Sequence, residues 1–357
     1  MVVSSGTPVG PEGDASAPSP PPRRTRRRVG RRRLVVAILV AAARVAGTGS
    51  LGVGAYAWSP RTASAWCVDN GGRTPDAYPT RWDDDRPEIA AAYHWSDYED
   101  VRLPSRTPGI DLAAWWSPPV EPETRVVIVV HGRNSCRRDP VVLVRAGMLR
   151  SAGFGVLVLD LRDHGDSPPE GGHFSGIDDA PGVLGEWDWV GARGHPAAAV
   201  GLLGISMGTG ATMIAMADEP ALAALWLDSP FGDMRAQLES LARNDPLGWV
   251  LPGFMIAAQV LAGDDYARVS PDRILVPALA GRPLAITHGL LDTTILPERT
   301  DALVTMLARA GEEVVPWWVP GAAHVESAFL VPDEYRERMV EFFRSALTGP
   351  QAGPPPS

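Results

Sequence analysis

The chain contains no lysine: all 33 of its Lys-plus-Arg residues are arginine. That bias points to GC-rich coding and carries no chemistry of its own. Cysteine is almost as scarce. Cys67 and Cys136 alone exclude a cysteine metal cluster and a disulfide-rich scaffold. The two stand either as free thiols or, in an oxidising compartment, as one bridge. No internal repeat occurs. A basic surface is also missing where nucleic-acid binding would need one. Residues 1–57 hold nine Arg against Glu12 and Asp14, a local charge of +7, so the other 300 residues carry −16 of the total −9. An acidic body excludes a phosphate backbone as partner.

What is present begins with an asymmetric N-terminus. The first 22 residues are rich in Pro, Ser and Gly, a composition that cannot bury enough apolar surface to fold. Two arginine clusters follow, Arg23–Arg28 and Arg31–Arg33, and then an apolar stretch over residues 34–58. Basic then apolar is the pattern of a membrane-targeting segment, with the arginines held inside and the rest of the chain passed across. The stretch is long enough to span a bilayer, although Arg44 costs about 2.5–3.5 kcal/mol near a helix centre. Ala55-Tyr56-Ala57 alternatively reads as a cleavage site. The expectation is therefore a disordered basic tail at 1–33, an anchor or signal at 34–58, and an exported body. That body is either tethered to the cell membrane by a single pass or secreted after cleavage.

Residues 59–87 are polar and turn-rich and read as a linker. Beyond them, with 45% hydrophobic residues in the chain as a whole, β-branched runs alternate with helical periodicity, as in a parallel sheet covered by helices. Strands are predicted at 125–130, 156–161, 199–203, 224–227, 283–287 and 314–319. Helices are predicted at 140–152, 208–217, 298–310 and 335–347. Residues 98–116 alternate as one or two antiparallel edge strands. The stretch 231–282 breaks the alternation and is predicted to hold a small helical cap over the sheet edge. This domain is bounded at 88–347, with a disordered tail at 348–357.

Gly204-Ile205-Ser206-Met207-Gly208 stands directly after a buried strand and directly before a helix, the setting of a nucleophile elbow. Serine needs a base, and the base an orienting acid. Downstream of Ser206 the histidines are His288 and His324. His324 follows the last strand in a loop able to reach back over the sheet edge, so it is the candidate base. Asp292 is the candidate acid and Asp228 the reserve. The backbone N–H groups of Met207 and Arg133 are the candidate oxyanion donors, with His131 a structural residue of its turn. No metal or cofactor is expected.

Ile128–Gly132, Asp160–Ser167, Gly204–Gly208, Leu227–Phe231, His288-Gly289 with Asp292, and Gly321–His324 together resemble the α/β-hydrolase superfamily, in its bacterial branch of esterase-type and prolyl-oligopeptidase-type serine hydrolases. The resemblance covers residues 88–347. It implies an α/β fold with a mostly parallel central sheet, helices on both faces, and a Ser206–His324–Asp292 triad. Arg133 departs from relatives that carry small or neutral residues there. The expected activity is hydrolysis of a carboxylic ester through an acyl-enzyme, on a small-molecule, lipid or peptide acyl substrate. Peptidase, thioesterase and envelope acyltransferase chemistry use the same triad. A non-catalytic binding module is the reading from a different class.

Overall fold

The computed structural model describes residues 72–79, 87–169, 176–244, 248–261 and 270–349, with Gly47, Cys67 and Pro246. The strands at its centre are short and apolar throughout. In β3 (Val126–Val130) every residue is buried. Val126, Ile128 and Val130 join one core, and Val127 and Val129 the other. The two-residue period of a strand thus feeds both faces, which only a sheet covered on both sides can satisfy.

Seven further strands flank it: β1 (Glu99–Pro104), β2 (Asp111–Ser117), β4 (Gly155–Leu159), β5 (Val200–Ile205), β6 (Ala224–Asp228), β7 (Leu284–Gly289) and β8 (Trp317–Val319). They form one sheet in the order β1-β2-β4-β3-β5-β6-β7-β8. β1 and β2 pair antiparallel at one edge, and β2 meets β4 antiparallel. From β4 through β3 to β8 the pairing is parallel. β8 is shorter than the predicted 314–319. Pro316 offers no N–H to a ladder, and Val315 stays 90% exposed.

Parallel neighbours require crossovers, and these build the covering layers. On one face lie α3 (Ala180–Ala192), α4 (Met207–Asp218), α7 (Pro271–Leu279) and α8 (Glu298–Arg309). On the other lie α1 (Pro87–Ala91), α2 (Pro140–Ser151), α9 (Ser327–Leu330) and α10 (Pro332–Ala346). Asp139 caps α2 by accepting the N–H of Val141 at 2.9 Å, so its first turn begins with a satisfied donor. The stretch 231–282 divides in two. α5 (Met234–Asn244) and α6 (Leu251–Leu261) stand apart from the main layers. α7 instead inserts Leu275 and Leu279 into the core beside α4, because the β6–β7 crossover has to cover the sheet there.

Residues 72–79, inside the expected linker, pack on the domain. Tyr78 is 4% exposed and donates its hydroxyl to the carbonyl of Tyr93. Cys67 and Cys136 form a disulfide with Cα atoms 6.0 Å apart. It ties the chain at Cys67 to the loop that follows β3. The expected tail at 1–33, the expected anchor or signal at 34–58 apart from Gly47, and residues 350–357 lie outside the described residues. Among the described residues no helix is long and apolar enough to cross a membrane.

Candidate active site

The site is assembled where the parallel strands end. Between β5 and α4 the chain reverses at Ser206, whose φ of 52° and ψ of −118° lie outside the ordinary wells. A non-glycine residue held at positive φ is strained, and its surroundings must over-determine it. The flanking glycines show how. A Cβ on Gly204 would collide with the Thr212 side chain, and one on Gly208 would lie 2.5 Å from the carbonyl oxygen of Val130. Only a small-x-Ser-x-small sequence lets helix and strand meet this closely.

His324 lies beyond β8, on a turn through Gly321. Its Nδ1 is 2.7 Å from Asp292 Oδ2 and its Nε2 is 2.9 Å from Ser206 Oγ. The structure therefore brings Ser206, His324 and Asp292 into one hydrogen-bonded chain. Asp292, 2% exposed, also accepts the N–H groups of Thr294 and Ile295 through Oδ1, at 2.9 and 2.8 Å. Burial alone would raise its pKa. The hydrogen bonds from His288, His324 and the Ile295 N–H more than offset that, and the carboxyl sits well below the usual range.

His288 is the other histidine downstream of Ser206. It is fully buried, with Nδ1 2.8 Å from Thr300 Oγ1 and Nε2 2.9 Å from the carbonyl of Ile295. The same Nε2 is 3.2 Å from Asp292 Oδ2, so this imidazole steadies the carboxylate from behind. The spacing His288–Asp292 across a strand end was the available signal.

Asp228, the reserve acid, lies elsewhere in the network. Its Oδ2 accepts Arg145 Nε at 2.9 Å, Arg145 Nη2 at 2.6 Å and the Tyr335 hydroxyl at 2.6 Å. Its Oδ1 accepts the Ser229 hydroxyl at 3.0 Å. Neither oxygen is hydrogen-bonded to His324.

The turn after β3 borders the serine. A Cβ on Gly132 would lie 3.0 Å from Ser206 Cβ and 3.5 Å from its Oγ. His131 is fully buried, with Nδ1 2.7 Å from the Gly132 carbonyl and Nε2 2.9 Å from the Leu161 nitrogen. Burial and the neighbouring His164 hold its pKa well below the ordinary value, so it stays neutral and accepts the Leu161 N–H. The Arg133 side chain is exposed. Asp160 braces this turn from the next strand by accepting the N–H groups of Arg137 and Asp166 at 2.7 and 2.9 Å. Met207 opens α4, where the first N–H groups of a helix have no partner within the helix.

The cap is fastened to the acid loop. Gln237 on α5 donates to the Thr294 carbonyl at 2.7 Å, and Ile295 packs with Phe231, Met234 and Leu238. Leu290 and Leu291, next to Asp292, are 46% and 61% exposed.

Residues 121–324, more than half of the chain, match the family described as serine aminopeptidase, S33. No curated protein matches the sequence. Among solved structures, an esterase of Pyrococcus furiosus is similar at 18% identity and TM-score 0.56, over 77% of this chain and 98% of that one. A puromycin-hydrolyzing peptidase of Mycobacterium tuberculosis is 19% identical with TM-score 0.56, over 72% of this chain and 40% of that one. An acylaminoacyl peptidase of Pyrococcus horikoshii is 19% identical with TM-score 0.55, over 74% and 44%. At these identities the likeness concerns the fold, and the chain spans less than half of either peptidase.

Proposed function

Given that the chain belongs to the serine aminopeptidase S33 family and has the α/β-hydrolase fold, we propose that it is a serine hydrolase acting on carboxylic esters through an acyl-enzyme. The observation that carries the reading is the continuous chain Ser206 Oγ–His324–Asp292, with contacts of 2.9 and 2.7 Å. His324 takes the serine proton as Oγ attacks the acyl carbon and returns it to the departing alcohol. Asp292 holds the imidazole with Nε2 toward the serine. Water repeats the cycle on the acyl-enzyme. The N–H groups of Met207 and Arg133 are proposed to receive the oxyanion, worth about 3–4 kcal/mol per donor in comparable sites. The exposed leucines of the acid loop, Leu290 and Leu291, suit an apolar acyl group.

A second reading, peptidase, is favoured by the description of the family. The test is a panel of p-nitrophenyl esters of graded chain length beside aminoacyl-p-nitroanilides. We expect kcat/KM to be highest for an ester and to be abolished by a fluorophosphonate. Preference for an anilide would replace the ester reading with the peptidase. No labelling and no turnover would remove both.

The body is proposed to lie outside the cytoplasmic membrane, tethered by residues 34–58 or released after cleavage near Ala57. The basic-then-apolar N-terminus supports this, and so does the Cys67–Cys136 disulfide, since such bonds persist in oxidising compartments. Alkaline phosphatase fused to the C-terminus should be active. Full-length protein recovered from the cytoplasm with both thiols reduced would overturn the placement.

A further inference from the structure

The reading of His324 as the base leaves open what holds it in place. The residue that follows it, Val325, has φ of +56°. That is a left-handed conformation which a β-branched side chain adopts only under constraint. Val325 is 4% exposed, packed in the core between the sheet and α2, so the loop cannot relax outward without exposing it.

The constraint comes from α2. Arg145 is a fully buried arginine in the middle of that helix. Its Nη2 donates to the Val325 carbonyl at 3.0 Å, its Nη1 to the Val141 carbonyl at 2.7 Å, and its Nε and Nη2 to Asp228 Oδ2. One planar group thus joins the helix behind the β3 turn, the end of β6 and the His324 loop. The Asp228 end is itself close to the chemistry: its carbonyl accepts the Ser206 N–H at 2.9 Å. On the other side of His324, the Ala322 carbonyl accepts the N–H of Leu291 at 2.9 Å. The imidazole is therefore clamped from both directions along its own loop.

We propose that Arg145 is a positioning residue for His324, holding the strained Val325 peptide through its guanidinium, with Asp228 as the counter-ion that fixes the guanidinium. A bound geometry off by about 1 Å costs on the order of 100-fold in rate, so the clamp acts on turnover. An ordinary buried ion pair would act on stability alone.

The test uses the full chain with three variants and two readouts. Arg145→Lys keeps a charge for Asp228, but its single ammonium cannot serve Asp228 and both carbonyls in the same fork geometry. Tyr335→Phe removes the hydroxyl that donates to Asp228 Oδ2 and accepts from Arg145 Nε at 3.1 Å, and leaves the Arg145 Nη2 bond to the Val325 carbonyl in place. Val325→Gly accepts positive φ without strain. The first readout is kcat and KM for a p-nitrophenyl ester, normalised to fluorophosphonate-titrated sites. The second is the hydrogen-bonded proton between His324 Nδ1 and Asp292 Oδ2, read by NMR without substrate.

We expect Arg145→Lys to lower kcat about 10- to 100-fold with KM within about twofold, and to shift or broaden that proton. Tyr335→Phe should lose thermal stability but keep kcat and the resonance. Adding Val325→Gly to Arg145→Lys should recover kcat by about tenfold. A wild-type kcat and resonance in Arg145→Lys would overturn the proposal. So would kcat losses in Arg145→Lys and Tyr335→Phe that simply follow their losses of stability. If Arg145→Lys does not fold, Arg145→Gln with Asp228→Asn replaces the ion pair by two neutral amides and is read in the same way. Absence of ester turnover in the wild type would count against the proposed function alone, because the NMR readout does not depend on the substrate.

Discussion

Ser206→Ala should lower kcat by about 10⁶-fold, the loss seen when the nucleophile of such a triad is removed, and should end labelling by a fluorophosphonate. The reason is local. His324 Nε2 lies 2.9 Å from Ser206 Oγ, and alanine leaves it nothing to deprotonate. The fold should survive. Alanine fits φ 52° no worse than serine, and the close approaches at Gly204 and Gly208 are between backbone and neighbouring atoms that the change leaves alone. We expect a melting temperature within about 2 °C of wild type, as for a change worth about 0.5 kcal/mol. Mass spectrometry of the probe-treated variant is the direct check. A labelled Ser206→Ala protein would move the nucleophile elsewhere.

The second large effect separates two carboxylates. Asp292→Asn should cost about 10⁴-fold in kcat, because an amide cannot hold the imidazole in the required tautomer. Asp228→Asn should cost no more than about 10²-fold among folded molecules, through the loop that Arg145 holds. It should cost far more in stability, about 3–5 kcal/mol, because it leaves a buried guanidinium uncompensated. The order of the two kcat losses is what is tested, and its reversal would make Asp228 the acid.

Linkage adds a pH signature. The Asp292 pKa is depressed in the folded state by its hydrogen bonds to His288, His324 and Ile295. A depressed folded pKa contributes stability that is present above the unfolded value of about 3.9 and is lost as pH falls toward the folded one. Wild type should therefore exceed Asp292→Asn in urea stability by most near pH 7, and the difference should shrink at pH 3.

Much of this architecture was legible in the order of residues. Five of the six predicted parallel strands agree with the structure to within a few residues, because a strand buried on both faces is apolar along most of its length. The edge hairpin of β1 and β2 was visible in the alternation over 98–116. α3 has a weak helical period, because Val183, Leu184 and Val190 are buried together with Gly185 and the charged Glu186. The stretch 231–282 holds both the cap helices α5 and α6 and the core helix α7. Only a view of what α7 covers separates them.

Ser206 stood out in the chain because an elbow is a local object: two small residues and a strand-to-helix change within five positions. The fold class was likewise a matter of local patterns repeated. Three matters were decided only in three dimensions. Asp228 ends β6 and Asp292 stands in the turn after β7, so each offers an acid at a suitable place in the order. The turn after β7 aims one at His324, while α2 and α10 enclose the other with Arg145 and Tyr335. Cys67 and Cys136 are 69 residues apart, and no spacing rule says whether such a pair meets. The clamp on Val325 joins residues 180 positions apart. Burial periodicity is written in neighbouring residues, so sequence determines the elements. Distances between their ends depend on how the sheet is ordered and how the crossovers pack, and that is a property of the folded whole.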